Sequence, residues 1–186
     1  MNIVIYCGAS LGNDSIYEKE TRKIGKWISS NQYKLVYGGG KAGLMGVIAD
    51  TVLENGGKVI GVMPKFLIER EIMHKGLTEN FETNTMTERK NKMIELGDIY
   101  IALPGGPGTL EEISEVVSWA RIGQNNNPCI FWNVDGYYND LKSFYLTMVE
   151  KGFLTQSDFD KILFTNSIDE LENFVKTYEP PTVRKY

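Results

Sequence analysis

A doubly wound α/β sandwich, with a mostly parallel sheet and helices on both faces, follows from three observations. Short apolar runs alternate with longer amphipathic stretches along all 186 residues. Most of the apolar runs are continuous rather than alternating, as in strands buried on both faces of a parallel sheet. Glycine-rich segments follow two of these runs and lead into helical stretches, the layout of open sheets that take ligands at the carboxyl ends of their strands.

In chain order, the strand candidates are 2–7 (NIVIYC), 34–37 (KLVY), 58–63 (KVIGVM), 80–85 (ENFETN), 98–103 (DIYIAL), 128–133 (PCIFWN) and 162–165 (ILFT). The helix candidates between them are 15–30, 43–55, 87–97, 110–122, 136–151 and 168–178. Ser15 with Glu18, and Ser167 with Glu170, have capping-box spacing at two helix starts. Gly56 and Gly57 stop the helix over 43–55. Residues 64–79 (PKFLIEREIMHKGLTE) are mixed and read as a loop with at most one helical turn. A loop of that length in a compact domain often lies over a site. No repeat, low-complexity tract or linker divides the chain, so 1–179 reads as one domain and 180–186 as a loosely held tail.

The net charge of −4 argues against non-specific nucleic-acid binding, which usually needs a basic face. No stretch approaches the roughly 20 apolar residues that span a bilayer, and MNIVIYC at the start reads as a first strand rather than a signal peptide. Cys7 and Cys129 fall in strands. As buried free thiols they point to a cytoplasmic protein. With His74 as the single histidine, no metal is expected, and no cofactor.

Two glycine segments carry the functional signal. GGGKAG at 38–43 formally fits G-x-G-x-x-G, but it follows the second strand and no acidic ribose-binding residue stands about 20 positions on, so it does not indicate NAD. PGGPGT at 104–109 lies between a strand and a helix start, where free N–H groups and the positive helix end favour an anion. No Lys-Ser/Thr pair follows, so this is not a Walker A loop, and a monophosphate is the expected ligand. A tight turn with glycines for packing alone is the competing reading. Glu112 is equally open: Thr109 as N-cap and Glu112 at the third helical position form a capping box that needs no chemistry. Arg89 and Lys90 sit near a helix N-terminus, where the dipole disfavours cations, which suggests a phosphate or carboxylate partner.

PGGPGTLEE at 104–112 fits PGGxGTxxE, and with MTERK at 86–90 it resembles the LONELY GUY (LOG) family, long labelled lysine decarboxylase-like. CGAS at 7–10, VYGGG at 36–40, GLMG at 43–46, VIGVMP at 59–64, WARIG at 119–123 and NVDGYYN at 133–139 extend the likeness over nearly the whole chain. The resemblance implies a Rossmann-like homodimer that hydrolyses the N-glycosidic bond of an AMP, with or without an N6 substituent, to free base and ribose 5-phosphate. It makes Arg89 and Glu112 the catalytic pair. The nucleotide contacts become Glu71, Arg89, Lys90, Gly105, Gly106, Pro107, Gly108, Thr109, Leu110 and Glu111, with Gly39, Gly40 and Met45 as further ones. Thr87, Pro107 and Arg121 stand where the family often has His, Tyr and Gln. A non-catalytic nucleotide-binding module is the alternative, since the glycine segments alone would serve it. A pyridoxal phosphate decarboxylase is disfavoured by the short chain and the lack of a suitably placed lysine.

Overall fold

The computed structural model of the chain describes residues 1–70 and 73–183. Seven strands alternate with helices: β1 (Asn2–Tyr6), α1 (Ser15–Ser30), β2 (Lys34–Tyr37), α2 (Gly43–Glu54), β3 (Lys58–Pro64), α3 (Lys65–Ile68), β4 (Glu79–Thr83), α4 (Met86–Leu96), β5 (Ile99–Ala102), α5 (Pro107–Arg121), β6 (Cys129–Trp132), α6 (Asn139–Glu150), α7 (Gln156–Phe159), β7 (Ile162–Thr165) and α8 (Ile168–Thr177). The strands form one parallel sheet in the order β4-β3-β2-β1-β5-β6-β7. The chain thus builds outward from β1 to β4, then returns to β1's other side and builds outward again. That reversal places the loops after β1 and β5 side by side at the carboxyl edge, where Leu103 N–H donates to the Tyr6 carbonyl (2.9 Å) and Gly8 N–H to that of Pro104 (3.1 Å).

The continuous apolar run of β1 hides a period of two. Ile3, Ile5 and Cys7 face α1, α2 and α8, packing with Ile24, Ile28, Ile48 and Leu171. Val4 and Tyr6 face α4, α5 and α6, packing with Met93, Ile113, Val116 and Tyr145. Each such aliphatic side chain contributes about 1.5–3 kcal/mol by leaving water. No helix among the described residues is long and apolar enough to cross a membrane.

Local chemistry moves several expected boundaries. Asp14, not Ser15, caps α1, its carboxylate accepting from Ile16 N–H (2.9 Å). Ser167 does cap α8, accepting from Glu170 N–H. Helix α2 ends as expected: Gly57 N–H returns to the Val52 carbonyl (2.8 Å) and Gly56 turns left-handed at φ +73°. The helix expected from residue 136 starts at Asn139, because a 3-10 turn, Val134–Gly136, precedes it with Asp135 left-handed at φ 49°. Helix α7 was not anticipated; four residues give no periodicity to read. In the tail, Pro181 is buried and Val183 packs where a Cβ on Gly123 would stand.

Candidate active site

Helix α5 begins three residues before the expected start. Gly106 is its N-cap and Pro107 its first residue. Proline's fixed φ and missing N–H suit that position, so Pro107 sets the start in place of Thr109. The capping box is therefore absent: Thr109 is the third helical residue and Glu112 lies nearly a turn deeper. No side chain caps the helix and no acid stands in its first turn. The N–H groups of Gly108 and Thr109 precede the first intrahelical bond, which Leu110 N–H makes to the Gly106 carbonyl (3.2 Å). This helix end presents donors and positive potential to the carboxyl edge with nothing of its own to neutralise them.

The glycines of this segment divide into two kinds. A Cβ on Gly105 would overlap Thr109 Oγ1 and lie 2.8 Å from Gly8 N, so Gly105 is a packing glycine. A Cβ on Gly106 or Gly108 would meet no protein atom within 4 Å, and neither residue has positive φ. Nothing in the chain itself requires glycine at those two positions, and both line an open cleft of about 260 Å³.

Arg89 and Glu112 form the cleft's inner wall. Helix α4 is capped by Thr85, whose hydroxyl accepts from Glu88 N–H (3.1 Å), and Arg89 follows one residue later. Its Nε donates to the Val62 carbonyl (3.1 Å) and its Nη1 to Glu112 Oε1 (2.6 Å). Each residue is 8% exposed. Desolvating two charges costs several kcal/mol per ion, which their attraction offsets only in part, so a buried pair opening on a cleft is weak evidence for stability and a sign of function. Burial pushes the Glu112 carboxyl above its ordinary value, and Arg89 opposes the rise. Cys7, also in the wall, is held as a neutral thiol, burial raising its pKa and the Glu112 carboxylate adding to the effect.

Both cations placed against the α4 dipole find carboxylate partners on α5. Lys90 is held between Glu111 and Glu115, the latter at 2.9 Å, and Glu111 above all raises the lysine's pKa. Of the other expected site residues, Met45, Gly106, Gly108, Thr109 and Glu111 line the cleft. Pro107 and Leu110 are exposed on the first turn of α5. Gly39 and Gly40 are not among the lining residues; Gly39 packs on Met63 and Gly61, and the Gly40 carbonyl accepts from Tyr37 Oη (3.1 Å). Glu71 lies outside the described residues.

Sequence reasoning missed Gly38, Leu67 and Met86, all of which line the cleft. A Cβ on Gly38 would overlap Arg89 Nη2, so this glycine makes room for the guanidinium. A second recess of about 230 Å³ adjoins the cleft across Gly8 and Gly106 and is bounded by Ser10, Leu11, Tyr17, Leu44 and Tyr137.

The family described as "Possible lysine decarboxylase" matches residues 45–175. A protein of Arabidopsis thaliana named cytokinin riboside 5'-monophosphate phosphoribohydrolase LOG1 is 42% identical over 178 residues, covering 96% of this chain and 84% of that one. The probable enzyme LOGL2 of Oryza sativa subsp. japonica is 41% identical over 178 residues (96% and 73%), and a cytokinin riboside 5'-monophosphate phosphoribohydrolase of Rhodococcoides fascians is 38% identical over 169 residues (90% and 85%). A solved structure described as the Moco carrier protein of Chlamydomonas reinhardtii superposes with a TM-score of 0.70 at 17% identity, covering 94% of each chain, and so shares the fold. With a family match over most of its length, and relatives near 40% identity that carry the LOG name, the chain belongs to the LOG family.

Proposed function

We propose that the protein hydrolyses the N-glycosidic bond of a nucleoside 5′-monophosphate, an AMP with or without an N6 substituent, to free base and ribose 5-phosphate. The observation that carries this reading is the buried Arg89–Glu112 pair at the back of a cleft whose mouth is the uncapped start of α5. The phosphate docks on the N–H groups of Gly106, Gly108 and Thr109. That anchor places C1′ near Glu112, and fixing a reacting centre this way converts binding energy into rate.

Cleavage passes through an oxocarbenium-like state at C1′. The Glu112 carboxylate stabilises the developing positive charge and takes a proton from the attacking water, as carboxylates do in glycoside hydrolysis. The bond electrons leave with the base, which takes up a proton on nitrogen. Arg89 keeps the carboxylate ionised and oriented despite its burial, and its remaining N–H groups face the ribose-phosphate. The apolar wall of Met45, Leu67 and Met86 receives the base, with Glu111 at the rim. Lys90 acts through Glu111, which it holds.

Exposed Phe66, Met86 and Leu110 near the cleft suit a homodimer with this edge at the interface, and two buried free thiols suit a cytoplasmic enzyme. Light scattering at micromolar concentration is expected to give about twice the 21.0 kDa chain mass.

The decisive assay incubates the purified protein with AMP, N6-isopentenyl-AMP and the matching nucleosides, and separates free base by chromatography. Base is expected from the monophosphates, and the nucleosides are expected to react about a hundredfold less efficiently, roughly 2.7 kcal/mol. Equal rates would refute the phosphate anchor. No base from any monophosphate would leave a binding module.

A further inference from the structure

Three consecutive carbonyls lead into α5, and each accepts a hydrogen bond from outside the segment, two of them from the neighbouring Tyr137 and Tyr138. Leu103 accepts from Tyr138 Oη (2.7 Å), Pro104 from Gly8 N–H (3.1 Å) and Gly105 from Tyr137 Oη (2.6 Å). Tyr138 is buried, and its hydroxyl satisfies a buried carbonyl. Tyr137 is different. It is 43% exposed, at the rim of the recess beside the cleft, and its ring stands edge-on to Tyr17 (5.8 Å) and Tyr138 (4.9 Å). An exposed carbonyl can take its hydrogen bond from water, so satisfying Gly105 does not explain the contact.

The backbone before Tyr137 is built to deliver it. Asp135 and Gly136 are both left-handed, at φ 49° and 70°, and turn the β6–α6 connection back over the glycine segment. Asn133 fastens the turn, accepting from Tyr138 N–H (2.7 Å) and donating to Asn139 Oδ1 (2.8 Å).

The Gly105 carbonyl shares a planar trans peptide with the Gly106 N–H, and the two point in opposite directions. Holding one fixes the other. This peptide lies between two glycines, where rotation about the flanking bonds is least restricted. Turned over, it would aim a carbonyl oxygen where the N–H now points and repel an anion.

We propose that Tyr137 is a positioning residue for the anion site: its hydroxyl locks the Gly105–Gly106 peptide so that the Gly106 N–H faces the bound phosphate. The inference rests on the nucleotide reading above, but its test reads anion binding directly. Tyr137→Phe keeps the ring and removes only the donor. Calorimetric titration with ribose 5-phosphate is expected to show binding weakened about fivefold to tenfold, the scale of one lost hydrogen bond. Nucleotide kcat/KM is expected to fall by more than the kcat/KM of the matching nucleoside, and the melting temperature to stay within about 2 °C. Unchanged affinity for ribose 5-phosphate would overturn the proposal. So would an equal loss for nucleotide and nucleoside, the signature of general distortion. A wild-type protein that binds ribose 5-phosphate yet frees no base refutes the hydrolase reading alone, and the Tyr137→Phe titration still decides this one.

Discussion

The two glycine segments read alike as sequence and differ as structure. In GGGKAG each glycine whose surroundings are described answers to the protein itself. A Cβ on Gly38 would overlap Arg89, one on Gly43 would overlap the backbone of Ala9, and Gly39 and Gly43 have positive φ. In GGPG, Gly105 answers to Thr109 and Gly8, but Gly106 and Gly108 answer to nothing in the chain. Among the glycines so described, these two alone combine open space with an ordinary φ. A glycine that packing and backbone conformation both leave unexplained marks space kept for something else, and here that space lies at a helix N-terminus.

The hardest test of this contrast is Gly38→Ala. Its Cβ would overlap Arg89 Nη2, so the guanidinium must shift and its bond to Glu112 is strained. Removing one partner of a buried pair costs about 3–5 kcal/mol, and some of that loss is expected as a lower melting temperature. Turnover is expected to fall at least about a hundredfold, the scale of losing a pre-organised charge in an active site. Glu112→Gln should match it in activity; its amide oxygen can still accept from Arg89, but the guanidinium loses its counter-charge, so it too is expected to lower the melting temperature. If Gly38→Ala keeps both stability and turnover, the space it leaves is not what seats Arg89.

The same pair sets a pH signature. Burial raises the Glu112 pKa in the folded chain, with Arg89 opposing. The folded state then holds its proton to higher pH than the unfolded state. The stability from this group is full below the unfolded value and is lost as pH rises through the folded one. Turnover moves the other way, because it uses the ionised carboxylate. The acid limb of kcat/KM is expected above the ordinary glutamate value of 4.5, and Arg89→Ala, which removes the opposing charge, should move it higher still. An acid limb at or below 4.5 would assign it to another group.

Smaller effects should separate the two kinds of glycine cleanly. Gly108→Ala is expected to leave the melting temperature unchanged or slightly raised, since alanine is favoured by about 1 kcal/mol inside a helix, while weakening nucleotide turnover tenfold or more. Gly46→Ala, whose Cβ would overlap the Lys41 carbonyl, is expected to do the reverse, costing about 1–3 kcal/mol of stability through a shifted backbone. Thermal melts and base release on the same preparations read both. A Gly108→Ala protein with full activity would return that segment to a plain turn.

How much of this was legible without coordinates differs by scale. Strand runs such as 2–7 and 98–103 were plain, because burial on both faces leaves them apolar after Asn2 and Asp98, although the strands themselves are Asn2–Tyr6 and Ile99–Ala102. The start of α5 was not. Thr109 and Glu112 have capping-box spacing, Pro107 has the opposite implication, and only the structure shows that proline prevailed. Arg89 was legible as a cation in the wrong place for its dipole, and its carboxylate partner answers that anomaly. The role of Gly38 could not be read, since the side chain it makes room for lies 51 positions further along. Tyr137 was visible only inside a motif, because its effect passes through a peptide plane 32 residues earlier in the chain.

The mildest prediction guards the criterion itself. Gly56 also has nothing within 4 Å of a Cβ, yet it sits at φ +73°, where the chain turns out of α2 into β3. That end of the sheet is opposite the cleft, because β3 is parallel to β5 and begins where β5 begins. Open space there reflects solvent, and glycine is explained by the left-handed backbone. Gly56→Ala is therefore expected to cost about 1 kcal/mol, the ordinary penalty of a Cβ in that conformation, and Gly56→Asn less, since asparagine tolerates it. Neither should change the KM for nucleotide. Melting curves with parallel kinetics check this pair of variants. A change in KM at Gly56 would mean that open space alone, without an ordinary φ, also reports on the ligand, and the distinction between the two segments would have to be redrawn.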